Sequence, residues 1–160
     1  RAISNSLGIC FILNKEEAQI FANTNSGNFH TLLQSLLKLG PKAAVVTDGP
    51  NGSYAYDGKE FYYQNIYDTL VVERTGCGDS YSAGFLAALS YGNDFKEAMR
   101  WGTMNAAFVI QKIGAQPGLL RLEQMKRLLA ANPKFLPKKM SELKGNYARG
   151  YKPLLLVKNF

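Results

Sequence analysis

Thr75-Gly76-Cys77-Gly78-Asp79-Ser80 follows the apolar run Thr69-Leu70-Val71-Val72 and opens a stretch without charge from Ser80 to Asn93. A strand, a tight glycine turn and a buried helix read in that order. Gly76 and Gly78 let the backbone bend sharply and bare its amides at the helix start, where the positive end of the dipole favours an anion. Asp79, in the first helical turn, then sits beside whatever anion those amides hold. Amides for a phosphate and a carboxylate for a hydroxyl proton are the minimal kit for phosphorylating an alcohol. An Asp in this place is also an ordinary capping residue. A dinucleotide-binding turn would need glycine where Tyr81 stands, and the absence of Gly-Lys-Ser/Thr excludes a Walker-type loop.

Working outward, Gly8 to Leu13 reads as a strand buried on both faces. Asn14 and Glu17 then form a capping box, or else face phosphates and a hydrated magnesium ion from the strand's carboxyl end. His30 to Leu39 has helical spacing closed by Gly40-Pro41, and Ala43 to Thr47 reads as a second buried strand. Strand, helix, strand with short joints predicts a parallel α/β sheet. Asp57-Gly58 between Ser53–Tyr56 and the run from Lys59 to Ile66 predicts a hairpin, so antiparallel strands join the sheet. The small residues Ser82, Ala83, Gly84, Ala87 and Ala88 let the helix after Asp79 approach the sheet closely. Phe95 to Lys112 and Leu122 to Leu129 are further helices, separated by Gly114-Ala115-Gln116-Pro117-Gly118. From Asn132 onward prolines, lysines and glycines break the pattern, and Leu154 to Val157 is an isolated apolar patch.

At 160 residues, 46% of them hydrophobic, the chain is the size of one domain able to bury a core. Its net charge of +7 suits anionic ligands such as nucleotides. Much of that charge falls between Lys134 and Lys158, where a solvated tail and a binding surface are both open. No basic-aromatic pattern typical of nucleic-acid binding accompanies it. Cys10 and Cys77 stand in no metal or redox spacing, which favours a reduced, cytoplasmic setting. Helix-terminal amides could lower the Cys77 thiol pKa, although filling a tight turn is the simpler role. The single histidine, His30, leaves histidine triads and multi-histidine metal sites without support. No apolar run approaches a membrane span and no signal peptide is visible. With Arg at position 1, the chain reads as the later part of something longer.

Together these pieces resemble the later half of the ribokinase-like carbohydrate kinases, the PfkB family. The family signature Asp-Thr-x-Gly-Ala-Gly-Asp lies against Glu73-Arg74-Thr75-Gly76-Cys77-Gly78-Asp79, and Asn-x-x-Glu against Asn14-Lys15-Glu16-Glu17. The Thr-x-Gly nucleotide loop is similar to Thr47-Asp48-Gly49, with Asn51-Gly52 just beyond. Gly114-Ala115-Gln116-Pro117 is similar to the turn that closes the adenine pocket. The resemblance covers roughly residues 8 to 130 and implies a three-layer α/β/α sandwich, with a mostly parallel sheet and an antiparallel hairpin. It further implies that the family's amino-terminal half, with its sugar contacts and its dimer-forming lid, is absent from this sequence. Residues 1–131 would be the nucleotide-binding and catalytic part of the kinase domain and 132–160 a basic tail.

The resemblance also implies roles. Asp79 would be the base, and the amides of Gly76, Cys77 and Gly78 the anion hole. Asn14, Thr47, Gly49, Asn51, Gly52, Thr103 and Gly114 would line ATP, with Asn14 and Glu17 ordering Mg2+ indirectly. Glu73 and Thr75 stand where some relatives hold a monovalent cation, but the longer Glu departs from the family's Asp. Thr103 falls where relatives often place Asn, with Asn105 two residues on. The implied activity is ATP-dependent phosphorylation of a sugar or related small alcohol. A nucleoside kinase of the same fold, or a non-catalytic nucleotide-binding module, would share these features.

Overall fold

The structure is a computed structural model and describes residues 9–143. Five strands form one mixed sheet in sequence order: β1 (Cys10–Asn14), β2 (Ala43–Thr47), β3 (Ser53–Tyr56), β4 (Phe61–Gln64) and β5 (Lys138–Lys139). β1 and β2 pair in parallel, with Cys10 opposite Ala43 and Asn14 opposite Thr47. The connection between them carries α1 (Lys15–Phe21) and α2 (Phe29–Leu37). β2–β3, β3–β4 and β4–β5 are antiparallel. The predicted hairpin is present: Asp57 Oδ1 accepts from the Lys59 and Glu60 amides at 2.8 and 2.7 Å, and Gly58 takes φ +87°.

Strand alternation divides the core between two helical layers. Ala43, Val45, Ala55 and Tyr62 point to one face, packing with α3 (Cys77–Ser90), α4 (Phe95–Val109) and α5 (Leu122–Ala131) through residues such as Phe85, Met99 and Met125. Ala44, Val46, Tyr54 and Tyr63 point to the other, against Ala18, Phe29, Leu32, Leu33 and Leu36 of α1 and α2. There the Phe29 and Tyr54 rings stack at 3.6 Å. This is the three-layer α/β/α arrangement expected from the sequence.

Five expectations are corrected. Among the described residues only β1–β2 is parallel and the other three pairs are antiparallel, so the sheet is mixed rather than mostly parallel, because the hairpin and β5 extend it past the single crossover. β1 is half-buried rather than buried on both faces, because among the described residues it has a neighbour on one edge only. Thr69–Val72 is not a strand, and Leu70 is 75% exposed. The amides of Val72 and Glu73 instead donate to the carbonyl of Ile110, at 2.8 and 3.1 Å. With the hairpin partner already supplied by β3, the segment leaves the sheet and crosses to the end of α4. Of the small residues of α3, Gly84 serves contact with α4 rather than with the sheet: a Cβ on it would lie 2.8 Å from the Trp101 carbonyl oxygen, and one on Gly102 of α4 2.9 Å from that of Tyr81. Finally, part of the stretch assigned to the tail continues the sheet. Lys138 and Lys139 pair with Tyr63 and Tyr62, and Met140 is buried. Arg100, itself buried, donates to the carbonyls of Leu129, Asn132 and Phe135, tying that stretch to α4. The Leu154–Val157 patch lies outside the described residues.

Candidate active site

Gly76 sets the geometry of the turn. It takes φ +75°, and a Cβ there would press on Ala115, whose Cα lies 2.9 Å away. Only glycine satisfies both the left-handed backbone and the close approach. α3 then begins at Cys77, with Asp79 in its first turn. The Cys77 amide is spent on the Arg74 carbonyl at 3.2 Å, and the Ser80 amide on Gly76 at 2.9 Å. The amides of Gly76, Gly78 and Asp79 have no acceptor among the described residues. Of the three amides assigned to the anion hole, two are therefore available and one is used within the turn. Asp79 is exposed and makes no hydrogen bond or ion pair with a described residue.

Beside this turn lies a cleft of about 540 Å³ between the carboxyl ends of β1 and β2, the 3₁₀ turn Gly49–Asn51, the segment 66–71 and the start of α3. It brings together Asn14, Thr47, Gly49, Asn51, Gly52, Cys77, Gly78 and Thr103, residues drawn from distant parts of the sequence. Ligands of open α/β sheets collect at such strand ends. Gly52, at φ +89°, brings the loop against the backbone of Gln64 and Asn65. The Asn51 side-chain Nδ2 donates to Asp48 Oδ2 at 3.1 Å, an oxygen that also meets Lys15 Nζ at 3.5 Å. Thr103 is buried and its hydroxyl donates to the Met99 carbonyl at 2.9 Å. Asn105 holds the start of α3 in place, donating to the Ser80 carbonyl at 2.7 Å while accepting from the Leu120 amide.

Gly76, Asp79, Glu17, Thr75, Glu73 and Gly114 are not on the cleft wall. Glu17 closes the capping box: it accepts from the Asn14 amide at 2.9 Å, and Asn14 accepts from the Glu17 amide at 2.8 Å. Glu16, its neighbour, lines the cleft instead. The Glu73 carboxylate accepts from the Thr75 hydroxyl and from the Gly114 amide, both at 2.6 Å, and these bonds hold it below the usual carboxylate range. Gly114 thus abuts the glycine turn. Tyr67, Asp68 and Arg74 are cleft residues that the sequence reading did not select. Tyr67 and Asp68 are reached only because the chain leaves the sheet after β4.

Two thiols and a phenol in this half of the core have raised pKa values. Burial pushes the Cys10 thiol up to about 12 and raises the Cys77 thiol too, the latter opposed by the nearby Arg74 charge. The helix amides do not make Cys77 an acidic thiol; it fills the turn. Tyr81, fully buried, is raised by burial and donates to Ser53 Oγ at 3.1 Å, fixing α3 to β3.

Residues 8–121 match the pfkB family carbohydrate kinases. The chain belongs to that family. It is 30% identical over 116 residues to the 5-dehydro-2-deoxygluconokinase of Shouchella clausii, covering 72% of this chain and 36% of that protein. To the fructoselysine 6-kinase of Shigella flexneri it is 40% identical over 83 residues, covering 52% of this chain and 32% of that protein. Ribokinase from Thermotoga maritima superposes with a TM-score of 0.69 at 25% identity, over 76% of this chain and 42% of that one. This PfkB chain spans about a third of the length of the curated relatives it matches. The ribokinase-like fold and the membership of a sugar-kinase family expected from the sequence both hold. Among the described residues no helix is long and apolar enough to cross a membrane.

Proposed function

We propose that this PfkB chain is the nucleotide-binding and catalytic part of an ATP-dependent kinase that phosphorylates a hydroxyl of a sugar or related small alcohol. One observation carries the reading: Gly78, at the positive end of α3 and with no acceptor for its amide among the described residues, lines the same cleft as the Thr47–Gly52 loop. A nucleotide lying along the loop directs its terminal phosphate to that amide. The exposed Asp79 carboxylate, next in the chain, takes the proton of the acceptor hydroxyl as the oxygen closes on phosphorus. In a loose phosphoryl transition state, positioning and charge stabilisation dominate, so an ordinary carboxylate is a sufficient base.

The residues present suit magnesium carried by the nucleotide. Among the described residues no three His, Cys, Asp or Glu side chains gather into a protein cage. Magnesium keeps its water and rides on substrate phosphates, where it neutralises their charge. Asn14 and Glu17, already engaged in the capping box, would meet it through water.

The test is Asp79→Asn in the full-length protein, with ADP release measured against sugars, sugar acids and nucleosides. The expected result is a fall in kcat of about 10²–10⁴-fold with ATP affinity retained. Turnover of nucleosides alone would move the protein to the nucleoside kinases. ATP binding without turnover of any acceptor by the wild type would make it a binding module.

A further inference from the structure

Arg74 stands on the cleft wall, and its guanidinium makes no ion pair with a described carboxylate. The adjacent Glu73 is the obvious counter-charge, but its two oxygens are held by the Thr75 hydroxyl and the Gly114 amide. Across the cleft, Asp48 is taken by Lys15 and Asn51. The remaining cleft carboxylates, Glu16 and Asp68, make no ion pair with Arg74 either.

The backbone under Arg74 is fixed on both sides. Its carbonyl accepts from the Cys77 amide, and the Val72 and Glu73 amides are anchored on Ile110. Arg74 is exposed, so its guanidinium is reachable from solvent, and on a fixed backbone at the cleft wall, without a counter-ion among the described residues, it is placed to take an anion. The planar fork of a guanidinium matches two phosphate oxygens at once, which a lysine ammonium does not.

We propose that Arg74 is the phosphate-reading residue of this kinase, its guanidinium gripping the terminal phosphates of the nucleotide and carrying charge as the phosphoryl group moves. The inference rests on the kinase reading above. In the step it serves, the bond from phosphorus to the ADP oxygen breaks and a bond from phosphorus to the acceptor oxygen forms. The hydroxyl proton passes to Asp79. Arg74 neither gains nor loses a proton; it holds the negative charge that collects on the phosphoryl oxygens and on departing ADP. An arginine in this role contributes through electrostatics alone.

The experiment measures binding of adenosine, ADP and ATP by calorimetry, together with kcat, for the full-length wild type, Arg74→Gln and Arg74→Lys. Arg74→Gln should weaken ADP and ATP by about tenfold or more and lower kcat at saturating ATP by at least about tenfold, leaving adenosine affinity unchanged. Arg74→Lys should recover part of the loss, since charge returns without the fork. If Arg74→Gln binds ADP and ATP as the wild type does and turns over at the same rate, the proposal is wrong. Equal losses for adenosine and ADP would also overturn it, because a misfolded loop loses both. A wild type that binds neither ADP nor ATP would instead bring down the kinase reading, and this proposal with it.

Discussion

The Glu73 carboxylate accepts a hydrogen bond from the Gly114 amide at 2.6 Å, joining positions 41 apart in sequence. With Thr75 on its other oxygen, Glu73 links the glycine turn to the Gly114–Pro117 turn. Hydrogen bonds to the charged form depress its pKa below the ordinary value of 4.5. A depressed carboxylate contributes stability that is complete above its unfolded pKa and is lost as pH falls through the folded one. The protection of amides at residues 114–118, taken relative to their intrinsic exchange rates, should therefore fall as pH drops below about 4.5 in the wild type. Glu73→Gln removes the titration, so the extra acid-induced step should vanish from its profile. An identical profile in both proteins would show that Glu73 does not hold the loop.

The same bonds bear on cation dependence. Each Glu73 oxygen already accepts a protein hydrogen bond, one of them from the Thr75 hydroxyl, so a monovalent ion there would compete with those bonds. Exchanging potassium for sodium at constant ionic strength should change kcat of the full-length enzyme by less than about twofold, because an ion that competes with existing hydrogen bonds gains little. A strong potassium requirement would place the ion elsewhere in the turn.

Gly84 is where α3 and α4 touch. Ala at this position sets a methyl 2.8 Å from a backbone oxygen that cannot swing aside. Overpacking of this kind costs about 1–3 kcal/mol. Denaturant unfolding should show that loss for Gly84→Ala, whereas Ala83→Gly, on the exposed side of the same helix, should cost only about 1 kcal/mol through propensity.

Arg100 is buried among carbonyls of Leu129, Asn132 and Phe135, with Glu97 at 2.6 Å. Its removal takes the counter-charge from Glu97, which keeps only the Trp101 indole donor, and the described donor from the Phe135 carbonyl, while the Leu129 and Asn132 carbonyls keep the Asn132 and Phe135 amides. Because Glu97 is partly exposed, Arg100→Ala should destabilise by about 1.5–3 kcal/mol, in the range for losing hydrogen bonds to a charged group. Proteolysis should then cut first between Leu129 and Met140, the stretch that Arg100 fastens. Glu97→Gln, which leaves the carbonyl bonds intact, should cost less.

Local chemistry made several elements readable from the residues alone. Ala43–Thr47 is a strand with the bounds expected, because a β-branched apolar run between turn residues has few other uses. Asp57-Gly58 forms its hairpin since the carboxylate and the left-handed glycine act within the turn. The left-handed turn at Gly76 and the helix start at Cys77 follow from the same kind of short-range logic. Tertiary structure decided what depended on a distant partner. Thr69–Val72 has the composition of a strand, yet its amides find the end of α4 rather than another strand. Glu17 suits a metal or a cap, and the proximity of the Asn14 amide turned it to the cap. Arg74 became a cleft cation, and Glu73 a loop anchor, only when Ile110 and Gly114 were brought beside the glycine turn. Backbone preference is written within a few residues, whereas the partner that satisfies a particular amide or carboxylate is settled only by the folded chain.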